Sequence, residues 1–532
     1  MTQMQESPIH SDAPIQRRYN RGRRATLALA RVESWRLLRH PAVLGTLAAY
    51  LAEWVYSVAV GGNRFPVLQD ESRFTQMPLL LVAAGVFLAV HLSVLRPARD
   101  AVADVYEAAA LESWQRIVAH VLSVVPLAVI AAVVSAVRVG LAAAAPGAVG
   151  NIAVVEVLTG PVVVLTAGAL AALAGTAVRS TAAGPLVLTV LGVVTVASAL
   201  SATSAWRWLT LVALEHESIP PLPHALLYRP TELHVAYLLG LTVSAALVAM
   251  VLSGLRSRRM TVAVAVVLAV TLGAAAAQLR PMPTQTAQAR EEARTAPAGT
   301  QRCAVVEKVT YCAFPEFFDR HQQWAEVTQG ILRWLPEDRV PGRLAVRQHL
   351  WAIDGKGGTV NSAPVQEWAA DDAAAGAEGA VMVGTRWGNR NDADSSATIG
   401  FAAALAARLL GPQDGRGPVA QLCGGRAIVA VWLAAQATAE TEQALRDRMS
   451  AVVAGTSVSF RPVDGVHTLS VDRRGVEAAL TLLERPASEV GPKITRSWDT
   501  LTAPGLTVEQ AAPLLGIQAH SPAQAEGGAT GC

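Results

Sequence analysis

Ionisable side chains set inside long apolar runs are where this 532-residue sequence could do chemistry. Glu53 and Arg138 are the clearest pair. Each lies in a run long enough to cross a bilayer, where charge is costly and tends to mark a pathway or a partner. They fall at comparable depth in the first and third runs, so a Glu53–Arg138 ion pair would let both stay charged. Such a pair either locks helices together or serves function, and the two could instead snorkel separately. His91, near the end of its run, needs no special role.

The second half offers residue types without a reactive spacing. It contains no G-x-x-x-x-G-K-S/T phosphate loop, and Gly355-Lys356-Gly357-Gly358-Thr359 is too short to turn backbone amides toward phosphates. The chain is therefore expected not to hydrolyse ATP by itself. His321, His349, His467 and His520 form no H-E-x-x-H zinc site, and no G-x-S-x-G elbow is present. Glu316, Asp319 and His321 read as a solvated helix face. Asp371-Asp372 and residues 389–394 lack the order of an EF-hand and read as polar loops. No catalytic, cofactor-binding or metal-binding residue is assigned, and the chain is expected not to be an enzyme. A net charge of +3 gives no electrostatic footprint for nucleic acid. Lysine occurs only at Lys308, Lys356 and Lys493, so arginine carries the positive charge as a composition bias.

The elements that must position these residues divide at about residue 279. Overall, 52% of residues are hydrophobic and 16% charged, but the apolar runs crowd into the first half. Residues 1–19 are polar and expected to be disordered. Arg17, Arg18, Arg21, Arg23 and Arg24 precede a helical pattern with Ala28, Val32, Trp35 and Leu38 on one side. Residues 20–41 thus read as an amphipathic helix lying on a membrane surface, ended by Pro41. Seven apolar segments follow, at 42–60, 78–95, 117–145, 154–177, 184–203, 235–254 and 260–279. Each approaches the length that a hydrocarbon core of about 30 Å requires. Pro126 is expected to kink the third and Pro161 the start of the fourth. Arg96, Arg99, Arg116, Arg179, Arg256, Arg258 and Arg259 fall in alternate loops, which the positive-inside rule makes cytoplasmic. Arg207 and Arg229 run against that bias. Seven crossings from a cytoplasmic N-terminus end outside.

Cysteine placement reaches the same side by different chemistry. Cys303, Cys312, Cys423 and Cys532 all lie in the second half. If Glu307-Lys308 forms a two-residue turn, Cys303 and Cys312 face each other at a non-hydrogen-bonded pair, with Cα atoms about 4.5 Å apart. A disulfide accepts that separation and persists in an oxidising compartment. Two reduced core cysteines are the alternative. Residues 280–301 read as a linker, 302–520 as a soluble domain of α/β or α+β class, and 521–532 as a disordered tail. The expected fold is an all-α polytopic membrane bundle of about seven transmembrane helices plus that domain. The expected site is the cell membrane, multi-pass, with the domain extracytoplasmic.

The membrane half, about residues 20–255, resembles the permease subunit of a bacterial type 2 ABC exporter. The likeness rests on three features: the helix Arg31-Val32-Glu33-Ser34-Trp35-Arg36-Leu37-Leu38-Arg39-His40-Pro41 leading into the first span, the charged loop 96–116, and a wet loop before the sixth span. The seventh span and the large outer domain depart from the family's six-span pattern. Some relatives carry a metallopeptidase-like module, but the absent H-E-x-x-H would leave one here without catalysis. The resemblance implies a translocation path formed by two copies or with a related permease, and energised by a separate ABC ATPase subunit that binds the ATP. It also implies that Glu33, Arg36, Asp100, Asp104, Glu107, Glu112 and Arg116 contact that ATPase, or else are ordinary juxtamembrane charge. The rival expectation is a membrane-anchored extracytoplasmic sensor or binding protein without transport activity.

Overall fold

The computed structural model of the protein describes residues 13–59, 64–102, 111–200, 205–214, 221–351, 363–388, 396–411, 420–451, 457–463 and 469–518. Helix α1 (Ala13–Leu38) begins inside the stretch expected to be disordered. Its Arg, Ala and Leu are strong helix formers, which extends the helix past the basic cluster. Pro41 opens α2 (Pro41–Ala59), a first-turn position where the missing N–H costs no bond. Then come α3 (Leu68–Phe74), α4 (Gln76–Arg99), α5 (Ser113–Leu122) and α6 (Val125–Ala143). The expected third span is thus two helices in line. Pro126 accounts for the break, because its ring clashes with the carbonyl four residues earlier, at Leu122, where α5 stops. In α7 (Val154–Ala177) the helix continues through Pro161. The remaining apolar helices are α8 (Ala183–Leu200), α9 (Thr231–Leu252) and α10 (Arg258–Gln278).

Among the described residues, six helical stretches are long and apolar enough to cross a membrane: α2, α3–α4, α5–α6, α7, α9 and α10. α8 was expected as a further crossing, but its described apolar length, Ala183–Ser198, is shorter. It contacts α4 and α7 and, past its far end, the segment Ala205–Leu209. The surface separates the halves physically. Large apolar side chains are exposed along these helices, Val55, Tyr56, Val193, Val270 and Leu272 among them, whereas among the described residues beyond 280 only Val305, Val340 and Leu514 are. Water penalises exposed patches of that size and lipid does not.

The expected linker is a helix, α11 (Thr284–Thr295), rich in Ala, Gln, Glu and Arg. Ala293 is buried, and Trp368 donates its indole N–H to the carbonyl of Arg294, so this segment is docked. Strands β1 (Arg302–Val306) and β2 (Val309–Ala313) then form a hairpin, with β3 (Leu344–Gln348) and β4 (Val381–Val383) parallel to β2. A second sheet has the order β5 (Ala420–Leu422), β7 (Leu469–Asp472), β6 (Ser457–Phe460). Between and after the strands lie α12 (His321–Leu332), α13 (Val365–Ala374), α14 (Ser396–Leu409), α15 (Gly424–Ala435), α16 (Ala439–Ala451), α17 (Arg473–Leu483), α18 (Ala487–Arg496), α19 (Trp498–Leu501) and α20 (Val508–Leu515). All twelve residues of α15 are buried. A helix apolar on every side belongs in a core, and at about 18 Å this one is too short to span a bilayer. One hydrophobic cluster joins both sheets around it.

A separate cluster ties the halves together. Val67, Val149, Leu222 and Leu226 from loops of the helical half pack with Ala293, Phe314, Phe317 and Leu350. Backbone bonds reinforce the seam: Phe65 N donates to Gly388 O at 2.8 Å and Gly150 N to Glu316 O at 3.1 Å. The C-terminal domain is seated on one end of the bundle, opposite the end where α1 packs.

Candidate functional site

At the α1 end, Glu33 is 2% exposed and accepts on Oε1 from Arg36 at 2.7 Å and Arg96 at 2.9 Å. This corrects the expectation that Glu33 faces a partner. Val32 and Trp35, on the apolar side expected to meet a membrane surface, are 49% and 57% exposed, and Leu37 with Glu33 faces the bundle. The exposed apolar stripe matches a helix lying against lipid. Arg39 stacks on Trp35, 4.2 Å from the ring centroid. His40 Nδ1 accepts from Ala42 N at 3.2 Å, and burial, with the charge of Arg96, lowers its pKa. Arg36, Asp100, Glu112 and Arg116 stay on the surface of this end. Asp100 pairs with Arg99, Arg116 donates to Ser113 Oγ, and Glu112 forms a capping box with Gln115. Asp104 and Glu107 lie outside the described residues.

Within the bundle, Arg138 Nη1 donates to Glu53 Oε2 at 3.0 Å, with the Arg138 side chain 4% and the Glu53 side chain 42% exposed. Tyr50 and Ser135 are buried beside them. His91 is fully buried, with Nε2 3.1 Å from Ser180 O.

Sequence reasoning missed the charged centre at the other end. Glu156, in the first turn of α7, is 5% exposed and faces Arg229 at 3.3 Å, which also reaches Asp70 at 3.4 Å. Thr231 donates to Glu156 at 3.4 Å. Nearby, Gln76 donates to Glu156 O and Gln69 to Leu222 O, while His234 Nδ1 lies 3.1 Å from Trp208 O. A carboxylate opening an apolar helix was the available signal. Arg229 had registered only as an exception to the loop-charge bias.

In the C-terminal domain, Cys303 and Cys312 are register partners and form a disulfide, with Cα atoms 4.1 Å apart. Glu307 and Lys308 have φ of 48° and 72°, the two left-handed residues of a type I′ turn. Cys423 is also disulfide-bonded, and Cys532 lies outside the described residues. Asp371-Asp372 is helical, in contrast to the loop expected. Asp371 Oδ2 accepts from Ala298 N, and Asp372 pairs with Arg347 at 2.8 Å and lies 3.4 Å from His349 Nε2. These bonds occupy the carboxylates within the fold. Glu316 is a docking residue, its Oε2 accepting from His224 N at 2.7 Å. His321 stacks on Phe318. Residues 355–359, 389–394, His467 and His520 lie outside the described residues. Among the described residues no group of three His, Cys, Asp or Glu is placed to hold a metal ion. No protein-family model, curated protein or solved structure matches this chain.

Proposed function

We propose that the chain is the membrane-spanning permease subunit of an ATP-binding-cassette export system, with an extracytoplasmic accessory domain and a separate ATPase. The observation that carries this reading is the charge held inside the bundle, Glu53–Arg138 within it and Glu156–Arg229–Asp70 under the seated domain. An anchor needs no such groups, whereas a path for polar cargo does. In this reading α8 is a seventh crossing. Ser180, just before it, meets His91 near the α1 end, while the segment after it packs at the end where Glu156 and the C-terminal domain lie. The α1 end is then cytoplasmic and the disulfide-bonded domain outside, an orientation that oxidation of Cys303 and Cys312 favours.

The ATPase contact falls on Arg36, Asp100, Glu112 and Arg116, since Glu33 is buried. The ATPase biases the bundle between two states through its differential contacts. Purified alone, the protein is expected to turn over no ATP. Coexpressed with a nucleotide-binding subunit, it should copurify with that subunit and show ATPase activity. A preparation from native membrane that holds no nucleotidase would remove the reading. A sensor is the second reading. The cluster shared by Phe317, Val67 and Val149 favours it, because it couples the outer domain to the helices.

A further inference from the structure

α1 leads into α2 across a break of two residues, Arg39 and His40. α2 has 19 residues, about 28 Å of helix, barely the thickness of a hydrocarbon core of about 30 Å. For α2 to cross, Pro41 must stand at the edge of that core, which sets the end of α1 among headgroups. Thr26, Ala30, Glu33 and Leu37 are all buried, so α1 runs along the bundle at that level and does not project away from it. An arginine-rich helix placed there meets whatever charge the leaflet carries.

The side of α1 turned away from the bundle has no partner within the chain. Arg24, Leu27, Arg31 and Trp35 are exposed and fall within an arc of about 80°. Arg39 extends this side by stacking on Trp35. Glu33 is the one acid in the helix and is spent on Arg36 and Arg96. Among the described residues no carboxylate pairs with Arg24, Arg31 or Arg39. Apolar bulk and uncompensated positive charge thus share one face. An acidic protein surface would answer the guanidiniums and leave Leu27 and Trp35 without an apolar neighbour. A leaflet answers both, since arginine stems lie along acyl chains and raise their charged heads to the phosphates.

We propose that this side of α1 is a docking surface for anionic phospholipid in the leaflet at the α1 end. Leu27 and Trp35 insert beside the upper acyl chains, and Arg24, Arg31 and Arg39 donate to phosphates. The uncompensated charge selects the headgroup. A phosphatidylcholine brings its own ammonium and cancels most of the attraction, whereas a phosphatidylglycerol does not. Arg36 lies about a quarter-turn round from Trp35, so the lipid surface and the ATPase contact occupy different edges of the helix. The inference needs only that α1 lies at a bilayer surface, and it stands whether or not a nucleotidase copurifies.

The test is photo-cross-linking of the full chain in nanodiscs of equal phosphatidylglycerol and phosphatidylcholine. Leu27 is replaced by p-benzoylphenylalanine, and lipid adducts are counted by mass spectrometry. Phosphatidylglycerol adducts should exceed phosphatidylcholine adducts by about fivefold or more, the worth of one arginine near an anionic surface. Arg24→Gln, Arg31→Gln and Arg39→Gln together leave Glu33 with Arg36 and Arg96, so the helix keeps its seat, and should bring the ratio to about one. Molar salt should do the same by screening. The same probe at Val266, exposed midway along α10, should read a ratio of about one throughout. Equal adducts at position 27 in the otherwise unaltered chain overturn the proposal, as does a preference that survives the triple substitution or recurs at Val266. So does a probe at 27 that captures no lipid, which would assign this side of α1 to water or to a protein.

Discussion

Glu33 carries its carboxylate into the bundle, where Arg36 and Arg96 both donate to the same oxygen. Arg96 lies 63 residues away on α4, so the contact pins α1 to the first long helix pair. Glu33 is the buried partner, whereas the Arg36 and Arg96 side chains keep 54% and 25% of their surface exposed, so losing the carboxylate leaves cations that water still reaches and costs about 1 kcal/mol. Glu33→Ala should therefore lower the thermal midpoint of the protein in detergent. An unaltered midpoint would show that α1 is held by its apolar contacts alone. Tyr311 is the other telling residue. Burial, and secondarily the charge of Glu307, pushes its phenol up to about 12. A folded pKa above the ordinary value of about 10 means the fold favours the neutral phenol. Its contribution is complete below pH 10 and is lost as pH rises toward 12. Stability measured across that window should fall more steeply in wild type than in Tyr311→Phe, and parallel curves would exclude this assignment.

Helix α2 is held by few neighbours, and its seat on α4 depends on Gly85. A Cβ there would stand 2.3 Å from Thr46 Oγ1 and 2.7 Å from the carbonyl oxygen of Ala42. Gly85→Ala should displace α2 and destabilise the protein by about 1–3 kcal/mol, the usual cost of overpacking. Cysteine cross-linking between α2 and α4 checks it, and undiminished cross-linking would mean that α2 keeps its seat on α4. At this scale local signals served well where they were strong. Periodicity places helices near 397–410, 475–485 and 507–515, and they form at Ser396–Leu409, Arg473–Leu483 and Val508–Leu515. The segment 284–295 failed because the prolines flanking it and the threonines within it masked a run of good helix formers.

Across the whole molecule, the seam between bundle and domain decides how the halves behave. Phe317 is fully buried there, among Val67, Val149 and Leu222. Truncating it should cost about 3–5 kcal/mol. Phe317→Ala is expected to loosen the seam, read as faster amide exchange at Phe65 and Gly150, whose N–H groups donate across it. Exchange unchanged at both would mean the seam rests on hydrogen bonds alone. A seated domain restricts how the helices can move at that end, so any transport cycle must either carry the domain along or open this seam.

The sequence by itself determined the division at about residue 279, the apolar lengths of the helices and the pairing of Cys303 with Cys312. Each follows from neighbours along the chain: a run's length against the thickness of a bilayer, and a two-residue turn that sets which side chains face. Only the tertiary structure decided that Glu33 turns inward, that α11 docks, and that Arg229 meets Asp70 across 159 residues. A charged residue has the same identity whether solvated or buried. Its role is set by which distant elements pack against it, and no local period encodes that.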